Sequence, residues 1–250
     1  MEIVLIGAGN MGYAMLKGLS SRYSVEVVEK NEEILERIKK EFEGVKVSKE
    51  VEDITNKVVI LAIKPQSLSS LELKGEARAI ISILAGTPIA RIRDRFDAKY
   101  YIRAMPNVAA KNLKSLTSLV GDREFKKEAC EILSSIGKTI WLDSEYELDI
   151  ATALAASSPA WLAIVAEALV DGAVNLGLNR AKATQYLDGL FEGVGGLLKD
   201  THPAMLKDMV TSPKGTTIAG VEILEENRVR SAFIKAMKES LKRAKELEES

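Results

Sequence analysis

The chain has 250 residues, 46% of them hydrophobic, with one cysteine and a formal net charge of -1. That is enough apolar material for one or two domains with a sizeable core. The balanced charge excludes a global basic field of the kind that attracts nucleic acid or an anionic membrane surface.

A single cysteine, Cys130, rules out an intramolecular disulfide and suits a reducing compartment. Its place on an amphipathic stretch reads as a small buried hydrophobe rather than a nucleophile. No signal peptide is visible, and no uncharged apolar run reaches membrane-spanning length. The expectation is a cytoplasmic protein with no nucleic-acid or membrane partner and no metal site.

The chain opens with an apolar run, Ile3-Val4-Leu5-Ile6, followed by Gly7-Ala8-Gly9-Asn10-Met11-Gly12 and a helical pattern from Tyr13. Strand, glycine turn and helix in that order form the start of a dinucleotide-binding unit. Gly7 suits a tight turn, Gly9 lets the backbone approach a pyrophosphate, and Gly12 lets helix and strand pack closely. The free N–H groups at the helix start then face an anion.

A second strand, Val25–Val28, ends at Glu29. An acid at about 20 residues beyond the glycine turn is placed to hold ribose hydroxyls and to repel a 2′-phosphate. This favours NADH over NADPH, although Lys30 beside it could accept a phosphate, and a plain strand-end acid is the competing reading. Asn31 should cap a helix running to Phe42, ended by Gly44, with a short strand at Val45–Val47.

Lys57–Ala62 is apolar almost throughout, as a central parallel strand should be. Lys64 falls just beyond its carboxyl end, where ligands bind in such sheets; a solvated loop lysine is the alternative. Ala79–Leu84 and Tyr100–Ala104 are the next strands. The first ends in small residues, Ala85-Gly86-Thr87, that leave room for a nicotinamide ring. Short strands near Leu116–Val120 and Thr139–Leu142 flank a helix over Arg123–Ser135. Strands alternating with helices predict a doubly wound sheet.

After Asp143 the strand signals stop. Ser158–Leu178 is apolar except for Glu167, Asp171 and Asn175, a single polar stripe. Such a helix needs cover on most sides, which a partner subunit supplies most naturally. Asn179 should cap the helix Arg180–Leu198. The only histidine, His202, precedes Pro203 in the manner of a helix start, and a general-acid role has no partner in the sequence. Thr211-Ser212-Pro213-Lys214-Gly215-Thr216-Thr217 opens another helix, with Ser212 or Thr211 as the expected N-cap and Pro213 in the first turn. Hydroxyls and free N–H groups there make a site for a carboxylate; plain capping is the competing reading. A last helix spans Val229–Leu247. The predicted fold class is α/β, with a Rossmann domain over residues 1–145 and an all-helical domain over residues 146–250.

Taken together, these residues resemble the pyrroline-5-carboxylate reductase family. The carriers are the glycine turn, Ala62-Ile63-Lys64-Pro65, Arg103-Ala104-Met105-Pro106-Asn107, Ser158-Pro159-Ala160-Trp161, His202-Pro203 and the stretch Leu206–Thr217. The last is the most specific. The resemblance implies reduction of 1-pyrroline-5-carboxylate to proline by NAD(P)H, the final step of proline synthesis. It also implies a C-terminal domain that interlocks into homodimers, often assembled further into rings.

By it, Gly7, Gly9, Asn10, Met11 and Gly12 cradle the cofactor, with Ala62, Lys64 and Pro65 beside its ribose and phosphates. Ser212, Gly215, Thr216 and Thr217 bind substrate, and the Thr217 hydroxyl is the candidate for the ring nitrogen. Lys214 stands where the family usually has the first glycine of Ser-Pro-Gly-Gly, Trp161 where it has tyrosine or phenylalanine, and Val108-Ala109 where many members have Thr-Pro. The rival readings are another imine reductase, a 3-hydroxyacid dehydrogenase, or a non-catalytic nucleotide sensor. The absence of lysine between Ser158 and Leu178 argues against the hydroxyacid enzymes.

Overall fold

A computed structural model of the chain describes residues 1–51 and 53–248. It divides into two compact units: Met1–Ser157 together with Glu239–Ser250, and Ser158–Lys238.

The first unit is built on an eight-stranded sheet of order β3-β2-β1-β4-β5-β6-β7-β8. The strands are β1 (Glu2–Ile6), β2 (Ser24–Val28), β3 (Lys46–Ser48), β4 (Val58–Leu61), β5 (Ala77–Ser82), β6 (Ala98–Met105), β7 (Ser115–Gly121) and β8 (Gly137–Trp141). All neighbours pair in parallel except β6 and β7. Successive side chains of β1 point to opposite faces. Ile3 and Leu5 join one buried cluster, with Met15, Leu16 and Leu19 and with Phe125 and Ile132. Val4 and Ile6 join another, with Leu68, Ile92 and Phe96. Both faces are therefore covered, and this is why β1 and β4 read as continuous apolar runs rather than alternating ones.

The helices of this unit are α1 (Asn10–Leu19), α2 (Glu32–Glu41), α3 (Ile89–Arg93), α4 (Lys126–Leu133) and α5 (Glu145–Ala151). Asn31 caps α2, its Oδ1 accepting from the Glu33 and Ile34 N–H groups, as its position predicts. The 3₁₀ turn Pro65–Ser70 and the short α3 lack the long apolar periodicity by which helices are read from sequence. Cys130 is half-buried against the core.

A π-helical stretch, Thr152–Ser157, links α5 to α6 (Ser158–Asn175). The second unit then holds α7 (Arg180–Leu197), α8 (Pro203–Met209) and α9 (Thr216–Glu226). α10 (Val229–Glu248) begins in this unit, and from Glu239 on, nearly three turns, it belongs to the first. Asn179 caps α7 and His202 caps α8, its Nδ1 accepting from the Ala204 N–H. This assigns the lone histidine a structural task. Within the polar stripe of α6, Asp171 pairs with Arg180 at 2.7 Å.

The second unit buries little by itself. Leu176, Tyr186 and Met209 are among its exposed apolar side chains, and Val170 and Ala183 are its only buried ones among the described residues. The continuous helical run Glu145–Asn175 is long and apolar enough to cross a membrane by length and composition. Its exposed apolar faces are equally what a helix intended for burial against another subunit presents.

Candidate active site

The turn after β1 is set by contacts that exclude a side chain. Gly7 has φ +94°, and a Cβ there would stand 2.6 Å from the Ala62 carbonyl oxygen. A Cβ on Gly12 would stand 2.1 Å from the Gly7 carbonyl oxygen. Gly9 differs: a Cβ there meets nothing within 4 Å. Gly9 instead borders a cleft of about 580 Å³, together with Gly7, Glu29, Lys30, Ala62 and Lys64. It is also the N-cap of α1, and no side chain bonds to the N–H groups there. Open space above a glycine, at an uncapped helix start, is the cradle a pyrophosphate requires. The residues present fit a dinucleotide.

Glu29 sits one residue beyond β2, inside that cleft. Its Oε2 accepts from the Ala8 N–H at 2.8 Å and its Oε1 from the Asn31 N–H at 3.0 Å. The carboxylate thus braces the glycine turn against the start of α2, a task its spacing alone did not reveal. Lys30, Lys49, Lys64 and Lys74 line the same cleft, against Glu29, Glu50 and Glu72. Lys64 is the N-cap of the 3₁₀ turn that Pro65 begins. Asn10 and Met11 form the first turn of α1.

In the second unit the structure corrects one detail of the expected substrate stretch. Neither Ser212 nor Thr211 caps α9. The helix begins at Thr216, with Gly215 as N-cap and no side-chain cap bond. The reason lies in the preceding turn. Lys214 takes φ +58°, and the Gly215 N–H bonds back to the Ser212 carbonyl at 3.1 Å, so the helix starts later than Pro213. Thr211 is spent elsewhere, its Oγ1 donating to the Lys207 carbonyl at 2.6 Å. A Cβ on Gly215 would come 2.4 Å from Ser212 Oγ, so the glycine is what allows that hydroxyl to lie at the helix start. Ser212, Gly215, Thr216 and Thr217 are thereby gathered at an N-terminus whose N–H groups no side chain satisfies. α2, α5, α7 and α8 each have a side-chain cap; α1 and α9 begin on glycine and are left open.

Arg103, which belongs to one of the stretches carrying the family resemblance, forms an ion cluster that the sequence does not reveal. Arg103, near the carboxyl end of β6, is 2% exposed and faces three carboxylates: Glu145 at 3.2 Å, Asp149 at 3.0 Å and Glu248 at 2.8 Å. Glu145 also accepts from the Ile89 N–H at 3.0 Å, and Arg91 donates to the Glu248 carbonyl at 3.2 Å. Burial raises the pKa of Asp149 above the ordinary aspartate value, reinforced by Glu248 and Glu145 and opposed by Arg103. Only the i,i+4 spacing of Glu145 and Asp149 could have hinted at this group.

A largely parallel sheet whose switch-point cleft fits a dinucleotide, with an open glycine helix start at its edge, defines the chain as a dinucleotide-binding protein with a helical second unit. Comparison with known proteins gives the family. Residues 145–247 match the family described as "Pyrroline-5-carboxylate reductase dimerisation", and residues 2–86 match "NADP oxidoreductase coenzyme F420-dependent". The pyrroline-5-carboxylate reductase of Methanosarcina acetivorans is 35% identical, the match covering 98% of this chain and 97% of that one. The solved 1-pyrroline-5-carboxylate reductase of Streptococcus pyogenes has a TM-score of 0.86 at 30% identity, covering 98% of both chains. The Plasmodium falciparum pyrroline carboxylate reductase, solved with NADP bound, shares the fold at TM-score 0.82 and 20% identity. The chain belongs to the pyrroline-5-carboxylate reductase family. The exposed apolar helices of the second unit match the family's dimerisation region, and self-association is their role.

Proposed function

We propose that the chain reduces 1-pyrroline-5-carboxylate to L-proline, with residues 1–145 holding NAD(P)H and residues 146–250 holding the substrate and the dimer contact. The observation that carries this reading is the pair of uncapped glycine helix starts, one bordering the dinucleotide cleft and one carrying Ser212, Thr216 and Thr217.

When bound, the cofactor supplies a hydride to the C=N carbon of the ring. The protein's contribution is placement. Gly7, Gly9, Asn10, Met11 and Gly12 hold the pyrophosphate on the α1 N–H groups, with Ala62, Lys64 and Pro65 beside the ribose and phosphates. The α9 start binds the substrate carboxylate through its N–H groups and the Ser212 and Thr216 hydroxyls. That anchor orients the ring face, and orientation supplies much of the rate. The Thr217 hydroxyl hydrogen-bonds the ring nitrogen; that nitrogen takes its proton from water before hydride addition, or the imine arrives already protonated and needs none.

NADH is the preferred cofactor in this reading, because the Glu29 carboxylate stands at the ribose end and repels a 2′-phosphate. The dimers assemble further into rings, and the enzyme works in the cytoplasm.

Two assays test these assignments. Thr217→Ala should lower kcat/KM well beyond any change in NADH affinity, and unchanged kinetics would remove Thr217 from the mechanism. Paired assays should favour NADH, and a strong preference for NADPH would refute the role given to Glu29.

A further inference from the structure

Arg103 ties together four segments of the first unit. Through Glu145 it holds the start of α3, which follows Ala85-Gly86-Thr87-Pro88 at the carboxyl end of β5. Through Asp149 it holds α5, and through Glu248 the last turn of α10. It pairs in register with Ser82 of β5 and lies two residues before Met105-Pro106-Asn107.

The Ala85–Thr87 loop and Met105–Asn107 follow the carboxyl ends of β5 and β6, the side of such a sheet on which ligands bind. The last turn of α10 is seated closely: a Cβ on Gly86 would come 2.9 Å from the Leu247 Cβ. Beneath it lies a cavity of about 170 Å³ lined by Gly86, Arg103, Met105, Asp149, Ser240 and Arg243.

A guanidinium at 2% exposure is costly to bury, and its carboxylate partners offset that cost only while they stay in place. Glu145 and Asp149 accept hydrogen bonds from Arg103, whereas Glu248 Oε1 lies at 2.8 Å without one and Arg103 Nε finds no partner among the described residues. Glu248, the most distant of the three in sequence, is thus held by charge alone and is the contact most readily parted.

We propose that Arg103 is a positioning residue: through its pairing with Glu248 it latches the end of α10 over the Ala85–Thr87 loop, and so fixes that loop against the nicotinamide end of the cofactor. This rests on the dinucleotide reading of the cleft. The latch differs from a structural ion pair because it can open without dismantling the core. Arg103 keeps Asp149 and Glu145 when Glu248 leaves.

The test compares Glu248→Lys, which sets a like charge beside Arg103, with Glu248→Asp, which keeps the anion. Three readouts are needed: trypsin cleavage after Arg243 and Lys245, NADH binding by fluorescence, and steady-state kinetics. Scored by mass at those two bonds alone, so that the bond the new lysine opens to trypsin is not counted, Glu248→Lys should be cut roughly tenfold faster. Its kcat should fall about tenfold while the KM for 1-pyrroline-5-carboxylate stays within about twofold, since loop misplacement near the reacting centre costs rate before substrate affinity. Glu248→Asp should stay close to wild type in all three.

Wild-type cleavage of Glu248→Lys would overturn the latch. Faster cleavage with unchanged kcat would overturn the positioning role. If the unmodified protein binds NADH without turning over the imine, the substrate reading fails, while cleavage still decides the latch.

Discussion

Gly9 and Gly12 lie three residues apart in one turn, yet the structure assigns them different tasks, and alanine at each position separates them. At Gly12 the new Cβ would meet the Gly7 carbonyl oxygen at 2.1 Å, against an ordinary contact of 3.4–4 Å. The start of α1 and the turn must move apart by more than an ångström. Overpacking of this kind costs about 1–3 kcal/mol, which for a chain of this size lowers Tm by roughly 2–4 °C per kcal/mol. Cofactor binding falls with it, because the displaced turn is the cofactor site.

At Gly9 the backbone has φ -63°, which alanine adopts freely, and nothing lies within 4 Å of the new Cβ. Alanine there restricts the unfolded chain, worth about 0.4–1 kcal/mol in favour of the fold. It is also a poorer N-cap than glycine by a similar amount. The two effects nearly cancel, so Tm should stay within about 1–2 °C of wild type. The methyl group, however, enters the space reserved for the pyrophosphate. NADH affinity should drop at least about tenfold, or roughly 1.4 kcal/mol. Thermal melts and NADH fluorescence titrations of the two variants decide the matter. A Gly9→Ala protein that binds NADH like wild type, or one that melts as low as Gly12→Ala, would refute the division of roles.

Two further outcomes follow from the geometry. Lys214 sits at φ +58°, a conformation that costs a residue with a Cβ about 1–2 kcal/mol. Glycine there would remove that strain at an entropic cost of about 0.5–1 kcal/mol, so Lys214→Gly should raise Tm by roughly 1–3 °C, and a lowered Tm would mean that the lysine side chain contributes contacts outweighing its strain.

Asp149 has a pKa raised by burial above its ordinary value of 3.8, so the fold favours its neutral form. Its contribution to stability is fully present below the unfolded value and is lost as pH rises through the raised one. Stability measured against pH should therefore shift in favour of wild type over Asp149→Asn on acidification. A difference moving the other way would show that the pairing with Arg103 dominates.

Much of this architecture is legible in the sequence because it rests on local rules. Ile3–Ile6 and Lys57–Ala62 announce strands buried on both faces by their unbroken apolar character. Asn31 and Asn179 announce helix starts because a short polar side chain can reach the free N–H groups two or three residues on. The same rule misplaced the start of α9, since Ser212 has the right chemistry for a cap but Lys214 in a left-handed conformation delays the helix to Thr216.

What escapes sequence reading is whatever depends on distant residues meeting. Arg103, Glu145 and Glu248 share no spacing, and the seating of Leu247 on Gly86 joins positions over a hundred residues apart. The small residues at Ala85–Thr87 read as room for a ring; what the structure shows against Gly86 is Leu247 of the chain's own last helix. Spacing points to Glu29 as a strand-end acid facing the cleft, but its bond to the Ala8 N–H is a contact between distant residues that spacing does not reveal.

If the two glycine helix starts serve one reaction, as proposed, one assay must show a need for both. Purified protein should be mixed with 1-pyrroline-5-carboxylate and NADH, and separately with NADPH, following cofactor absorbance and L-proline together. Loss of reduced cofactor should be matched by proline formation, and kcat/KM should fall when either Gly9 or Thr217 is altered to alanine. No turnover with either cofactor would contradict that proposal.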